Sequence, residues 1–205
     1  MDNNGLLEIF RENGGLLKGH FGLTSGRHSD TYLQCAQVLQ HPELARRIGR
    51  ELALRAAELF GEKGEGGVNL VVSPAVGGIV IGHEVAAALG VRAIFSERVG
   101  GEMTFRRGFA VQPGDRVLAV EDVVTTGGSI RETAELASAS GGEVLATASI
   151  VHRYTEEPVA PTGLPHLSLL QVHALAYDPE GCPQCLEGIP VEKPGSRHLS
   201  PKQAL

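Results

Sequence analysis

Cysteine is scarce in this 205-residue chain, with three in all. The odd count, and the distance of Cys35 from the pair Cys182 and Cys185, exclude the disulfide framework of a small secreted domain. No uninterrupted apolar stretch is long enough to span a bilayer, and no charged n-region leads into an apolar h-region. The expectation is a cytoplasmic protein with no membrane partner. Excess positive charge is missing too: 18 Lys and Arg stand against 24 Asp and Glu, a formal net charge of −6. A generic nucleic-acid binder needs the opposite balance, so no nucleic-acid partner is expected. The common nucleotide motifs G-x-x-x-x-G-K-[ST] and G-x-G-x-x-G do not occur, which argues against P-loop enzymes and dinucleotide-dependent dehydrogenases. Nor is there a Ser-His-Asp or Cys-His signature of nucleophilic catalysis. What is left is a small-molecule ligand, on a chain whose 42% hydrophobic content suffices for one domain without disulfides.

The apolar residues are organised in alternating segments. "HPELARRIGRELALRAAELF" carries them at helical spacing, with Pro42 placed to open the first turn and Gly61 at the end. After the glycine-rich "EKGEGG" comes "VNLVVS", a run of the length and type of a buried strand. Then follow "PAVGG", a helical "IVIGHEVAAALG", a strand-like "VRAIFS", a basic, glycine-containing "ERVGGEMTFRRGFAVQPGD", strand-like "RVLAVE", helical "SIRETAELASAS" and strand-like "EVLATASIVHR". This order predicts an α/β fold with a mostly parallel central sheet and flanking helices. A single domain 1–205 is expected, with its core at about 42–153. The flanks, at about 1–41 and 154–205, are expected to fold together as a small hood over the carboxyl ends of the strands, where open α/β sheets bind ligands.

Within this frame "VLAVEDVVTTGGSI", Val117 to Ile130, concentrates the chemistry. If a strand ends here and a helix begins near Ser129, then Thr125, Thr126, Gly127, Gly128 and Ser129 form a turn in which backbone N–H groups and three hydroxyls face one spot. That is a cradle for an anion, since free amides and the helix dipole favour phosphate and glycine lets the backbone come close. Glu121 and Asp122 beside it would repel the same anion. A sugar phosphate resolves the conflict: the phosphate takes the amides, and vicinal hydroxyls donate to the carboxylates. The same residues also suit an ordinary βα turn with a Thr or Ser N-cap and two solvated acids.

"VLAVEDVVTTGGS" closely resembles the phosphoribosyl pyrophosphate (PRPP) signature of the type I phosphoribosyltransferases. "FGLTSGRHSDTYLQ", "SPAVGGIVIG", "SERVGGEMTFRRGF" and "VHR" are similar to the N-terminal segment, pyrophosphate loop, mobile loop and base-binding strand end of the orotate-specific members. "CPQCLEGIPVEKPGSR" looks like the C-terminus of a subset of them, so the resemblance covers nearly the whole chain.

The resemblance implies the type I phosphoribosyltransferase fold and the reaction of orotate with PRPP to give orotidine 5′-monophosphate and pyrophosphate, a step of pyrimidine synthesis, with Mg²⁺ bound mainly through PRPP. It assigns Glu121 and Asp122 to the ribose hydroxyls and to positive charge developing at C1. Val123, Val124 and Thr125 to Ser129 belong to the PRPP site, with the 5′-phosphate on Thr125 to Ser129. Ser73, Pro74, Ala75, Gly77 and Gly78 would wrap pyrophosphate, although alone they read as a plain tight turn. Arg98 matches the first arginine of a flexible basic loop that closes over PRPP, often that of a neighbouring subunit, which implies a homodimer with shared active sites. From charge alone, Arg98, Arg106 and Arg107 read as a solvated hairpin. Arg153 would grip the orotate carboxylate and Thr125 would touch the base.

Some positions depart from the family. Val99, Glu102 and Thr104 stand where lysine and histidine are frequent, and Thr24 replaces a usual lysine, so the loop's general acid is unassigned. Two other readings stay open. A purine-base phosphoribosyltransferase is opposed by "TSGRHSDTY" and Arg153; a non-catalytic PRPP-binding regulator is favoured by the altered loop but lacks a DNA-binding part. Cys182 and Cys185 make half of a zinc-type knuckle without a second pair, and a plain turn with two thiols is the simpler reading. The eight histidines show no ligand spacing; His20, His28, His152 and His173 read as surface or satisfied core residues, and no metal ligand is assigned.

Overall fold

The computed structural model describes residues 3–23, 25–61, 66–155 and 157–194; Thr24, and with it the expectation for that position, lies outside them. The long helix foreseen after His41 is α3 (Pro42–Phe60), with Pro42 in the first turn and Gly61, at φ 83°, closing it. It buries Ala45, Ile48, Gly49, Leu52, Ala53 and Ala56, the stripe its spacing predicts. Gly49 is required by packing: a Cβ there would stand 2.6 Å from Glu84 Cβ on α4 (Gly78–Leu89).

Six strands form the main sheet: β3 (Leu70–Pro74), β4 (Arg92–Val99), β5 (Glu102–Phe105), β6 (Arg116–Val124), β7 (Glu143–Tyr154) and β8 (His166–His173). Their spatial order is β5-β4-β3-β6-β7-β8, and all neighbours are parallel except β4 and β5. Helices cover both faces, which is why the central strands read as uninterrupted apolar runs. Along β6, Leu118 and Val120 pack with Ile48, Leu52, Ile81 and Val85 of α3 and α4, and with Leu6 and Phe10 of α1 (Asn3–Glu12). The alternate Ala119 packs with Ile130 and Ala134 of α5 (Gly128–Ala139) on the other face. Ile48 and Ile81 are fully buried, and each such side chain contributes roughly 1.5–3 kcal/mol.

The chain moves outward from β3 to β4 on one side and resumes at β6 on the other, so the boundary between β3 and β6 is the topological switch point. The turn after β3 and the turn after β6 flank it. β1 (Leu16–Gly22) and β2 (His28–Leu33) form a separate antiparallel hairpin, followed by the short α2 (Cys35–Leu39). The tail returns to this hairpin through bridges between Phe21 and Glu192 and between His28 and Tyr177.

One segment differs from the sequence reading. Part of the tail expected in the hood, β8, instead extends the main sheet beside β7; "LSLLQVHAL" has the apolar content of a strand, but nothing local tells which sheet it joins. The basic segment after "VRAIFS" is the hairpin its charges suggest. β4 continues to Val99 and turns through Gly100 and Gly101, both at positive φ, into β5. Glycine tolerates that backbone without steric cost, so the turn can be tight.

Candidate active site

A cavity of about 1000 Å³ opens at the carboxyl ends of the strands. Its wall includes Glu121, Asp122, Val123, Thr125, Thr126, Gly127, Gly128, Ser129, Arg98 and Arg153. Residues from β4, β6, β7 and the start of α5, up to 55 positions apart in sequence, therefore meet at one site. The size suits a small molecule carrying several polar groups.

The strand preceding the acids is longer than its apolar run. β6 continues through Glu121 and Asp122 to Val124, paired with β7 at Glu121↔Ser149, Val123↔Val151 and Val124↔His152. Successive strand side chains face opposite sides, yet both acids reach the cavity because it lies over the strand end. Burial raises the Asp122 pKa, while backbone hydrogen bonds at Val123 and Asp122 pull the other way. Asp122 in turn adds to the raised pKa values of Tyr32 and Cys35, each dominated by its own burial. The carboxylate also abuts the turn after β3: a Cβ on Gly77 would lie 2.7 Å from Asp122 Oδ1 and 2.8 Å from Oδ2.

The turn after β6 leads into α5 without a side-chain cap. Gly127 is the N-cap of α5, at φ 72°, and as glycine gives the helix start no side-chain cap. The first amides of α5 are thus left for another acceptor, and Thr125 and Thr126 are exposed at its mouth. Gly127 is needed twice over, for its positive φ and because a Cβ would come 2.2 Å from Pro161 Cβ. Val124 is buried below this turn, away from the cavity wall.

Arg153 is 7% exposed at the end of β7. Its Nη2 donates to Ser29 Oγ at 3.0 Å and to the Ala174 carbonyl at 3.4 Å, while its Nε is buried without a partner. Burial lowers its pKa, partly offset by Asp30. An arginine held this way keeps its charge and has donor capacity for an anionic ligand. Ser29 is itself fixed by donating to the Leu175 carbonyl at 2.8 Å. Arg98, on the β4–β5 hairpin, donates through Nη2 to Glu132 Oε2 of α5 at 2.6 Å and through Nη1 to the Gly101 carbonyl at 2.5 Å.

The β3–α4 turn enters the site less directly than its motif suggests. Ser73 is buried with its Oγ turned toward Gly82 of α4, so close that a Cβ there would sit 1.9 Å away. Ser73, Pro74, Ala75, Gly77 and Gly78 do not line the cavity; Gly77 meets it through Asp122. Arg27, Tyr32, Arg131 and His152 do line it, and none was singled out for a role at the site from sequence. Arg131 had a signal available, a cation in the first turn of the helix that follows the cradle. Tyr32 and His152 had none, since each lies in a strand whose partner decides its surroundings.

The phosphoribosyl transferase domain model matches residues 34–160, which span β3 to β7 and the cavity's acids, cradle, Arg98 and Arg153. An orotate phosphoribosyltransferase from Heliobacterium modesticaldum is 50% identical over 197 residues, covering 96% of this chain and 100% of that one. One from Pelotomaculum thermopropionicum is 48% identical, covering 97% and 100%. Among solved structures, orotate phosphoribosyltransferase from Aeropyrum pernix superposes with a TM-score of 0.66 at 22% identity over 82% of this chain and 93% of that one, a likeness of fold. With the family model and full-length relatives in agreement, the chain belongs to the phosphoribosyltransferase family, in its orotate phosphoribosyltransferase branch.

Proposed function

We propose that the cavity transfers the 5-phosphoribosyl group of PRPP to orotate, releasing pyrophosphate and orotidine 5′-monophosphate. The observation that carries this reading is the uncapped start of α5 beside two carboxylates and a buried arginine with an unpaired donor, all on one cavity. The amides and hydroxyls of Thr125 to Ser129 hold the 5′-phosphate, and Glu121 and Asp122 accept hydrogen bonds from the ribose hydroxyls. One ribose is fixed at both ends, which leaves its C1 positioned for attack. Arg153 takes the orotate carboxylate, and Thr125 contacts the ring. N1 of orotate forms the new bond to C1 as the bond from C1 to pyrophosphate breaks, so no protein nucleophile is required. The acids stabilise positive charge on the ribose in between.

Carboxylate oxygens in the cavity wall suit a hard cation, so Glu121 and Asp122 are compatible with Mg²⁺ carried in by PRPP, which when bound would neutralise charge on the pyrophosphate. Arg98 stands on a hairpin with a two-glycine turn and serves the departing pyrophosphate, of its own or a partner's site, in a homodimer. A cytoplasmic setting belongs to this reading, in which the three cysteines form no disulfide.

The test is the loss of orotate absorbance on adding PRPP and Mg²⁺ to the purified protein, with uracil and adenine as controls. Consumption of orotate alone is expected. Turnover of a purine, or PRPP binding without turnover of any base, would overturn the proposal, the latter in favour of a regulatory role.

A further inference from the structure

Away from the cavity, the tail and the hairpin bring four side chains to one point. His20 is on β1, His28 on β2, and Cys182 and Cys185 flank the start of α6 (Pro183–Leu186). One ligand atom from each lies within 4.8 Å of all the others. His20 Nε2 is 3.0 Å from His28 Nδ1, 3.4 Å from Cys182 Sγ and 3.6 Å from Cys185 Sγ, and His28 Nδ1 is 3.2 Å from Cys185 Sγ.

Hydrogen bonding does not account for this cluster. His20 Nδ1 sits 2.7 Å from the Ile189 carbonyl, which only accepts, so Nδ1 carries a proton and Nε2 turns its lone pair inward. Three groups crowd that lone pair, which serves one good hydrogen bond. Protonating Nε2 as well changes little, since one N–H serves one acceptor. A cation at the centre uses a lone pair from all four groups at once. Tetrahedral zinc with Zn–N of about 2.05 Å and Zn–S of about 2.3 Å separates ligand atoms by roughly 3.3 to 3.8 Å, against 3.0 to 3.6 Å for the four pairs above and at most 4.8 Å for any pair. The carbonyl that orients His20 is the outer support that metal-bound imidazoles use.

The tail also buries little of itself. Between Asp178 and Pro194, Cys182 is the one buried residue, and α6 is four residues long. Its attachments to the hairpin include the Glu192 amide donating to the His20 carbonyl at 2.7 Å, the Gly22 amide to the Glu192 carbonyl at 2.9 Å, and Gln184 Nε2 to the Gly19 carbonyl at 2.9 Å. Units too small for an apolar core are commonly organised by a metal.

We propose that His20, His28, Cys182 and Cys185 bind one zinc ion that fastens the tail to the β1–β2 hairpin. Two thiolates and two imidazoles without a carboxylate favour zinc over magnesium or calcium, and four protein ligands leave no open position for catalysis. The role is structural. The hairpin carries Ser29, which orients Arg153, so the metal supports the cavity wall from a distance. The histidines lack ligand spacing in sequence because they face one another across a hairpin and meet cysteines more than 150 residues away.

The test is metal analysis of the untagged full-length protein, with no use of its activity. About one zinc per chain should survive dialysis. Cys182→Ser/Cys185→Ser should lose at least nine-tenths of it. Should that variant fail to fold, Co²⁺ added to wild-type protein stripped of metal should still give a thiolate-to-cobalt charge-transfer band with the visible bands of tetrahedral cobalt. Absence of both zinc and the cobalt band in reduced wild-type protein would overturn the proposal. So would a Cys182–Cys185 disulfide in the protein as isolated, unchanged zinc in the double variant, or iron in place of zinc.

Discussion

Gly77 is the residue against which the Asp122 carboxylate rests. With φ −59° and ψ −39° its backbone is ordinary helical, so glycine is not needed there for conformation. It is needed for space, because a methyl would stand 2.7 Å from Asp122 Oδ1. Gly77→Ala should therefore displace the acid without disturbing the fold. Displacements near 1 Å cost roughly 10²-fold in rate, and a loss of that order in kcat/KM for PRPP is expected while the circular dichroism spectrum is retained. Asp122→Asn, which keeps the shape and removes the charge, should lose at least as much; retained PRPP affinity and turnover in both would remove Asp122 from the site.

Arg153 should act on the base and not on PRPP. Arg153→Lys keeps a cation but not the fork of donors, one arm of which is committed to Ser29. A hydrogen bond to a charged group is worth about 1.5–3 kcal/mol, so the KM for orotate should rise by roughly 10- to 150-fold with little change for PRPP. Steady-state kinetics with each substrate varied in turn distinguish this from a general loss of folding, which would affect both.

Arg98 separates stability from activity. Its pair with Glu132 is exposed, with about two-fifths of each side chain accessible, so the pair is worth about 0–1 kcal/mol. Arg98→Ala should unfold within about 1 kcal/mol of wild type in urea. If Arg98 neutralises the leaving pyrophosphate, kcat should fall by about 10²–10³-fold. Unchanged kcat would assign that task elsewhere on the hairpin.

His166 should make stability depend on pH. It lies between the Thr147 hydroxyl at 2.8 Å and the Ser149 hydroxyl at 3.0 Å, and burial, helped by neighbouring His152, pushes its pKa from 6.5 to about 4. The folded state thus keeps the ring neutral while the unfolded chain protonates it near 6.5. The associated stability is fully present above pH 6.5 and is lost as pH falls toward 4, about 3 kcal/mol in total. His166→Asn should flatten the fall in melting temperature across that window. An unchanged slope would place the acid sensitivity in other groups.

The turn after β6 and the two acids before it were legible in the sequence because they are contiguous: a strand end, two glycines and a helix start settle each other's geometry within ten residues. The helical stripe of α3 was legible for a similar reason, since burial follows a period the residues display directly. β8 was misplaced because an apolar run identifies a strand and not its neighbour. Ser73, Pro74, Ala75, Gly77 and Gly78 lie beside the cavity and not in its wall, with Ser73 turned under α4, a matter of side-chain direction that the motif does not carry.

The sequence by itself determined an α/β chain with a glycine-containing strand-to-helix turn beside two carboxylates, because periodicity and turn chemistry act over short spans. Tertiary structure decided the rest. It set Ser29 against Arg153, Gly77 against Asp122, Arg98 against Glu132, and His20 and His28 against the cysteines of the tail. Each of these depends on which strands pair and which faces pack, and that choice is made by burial of the whole core, which no local stretch of residues encodes.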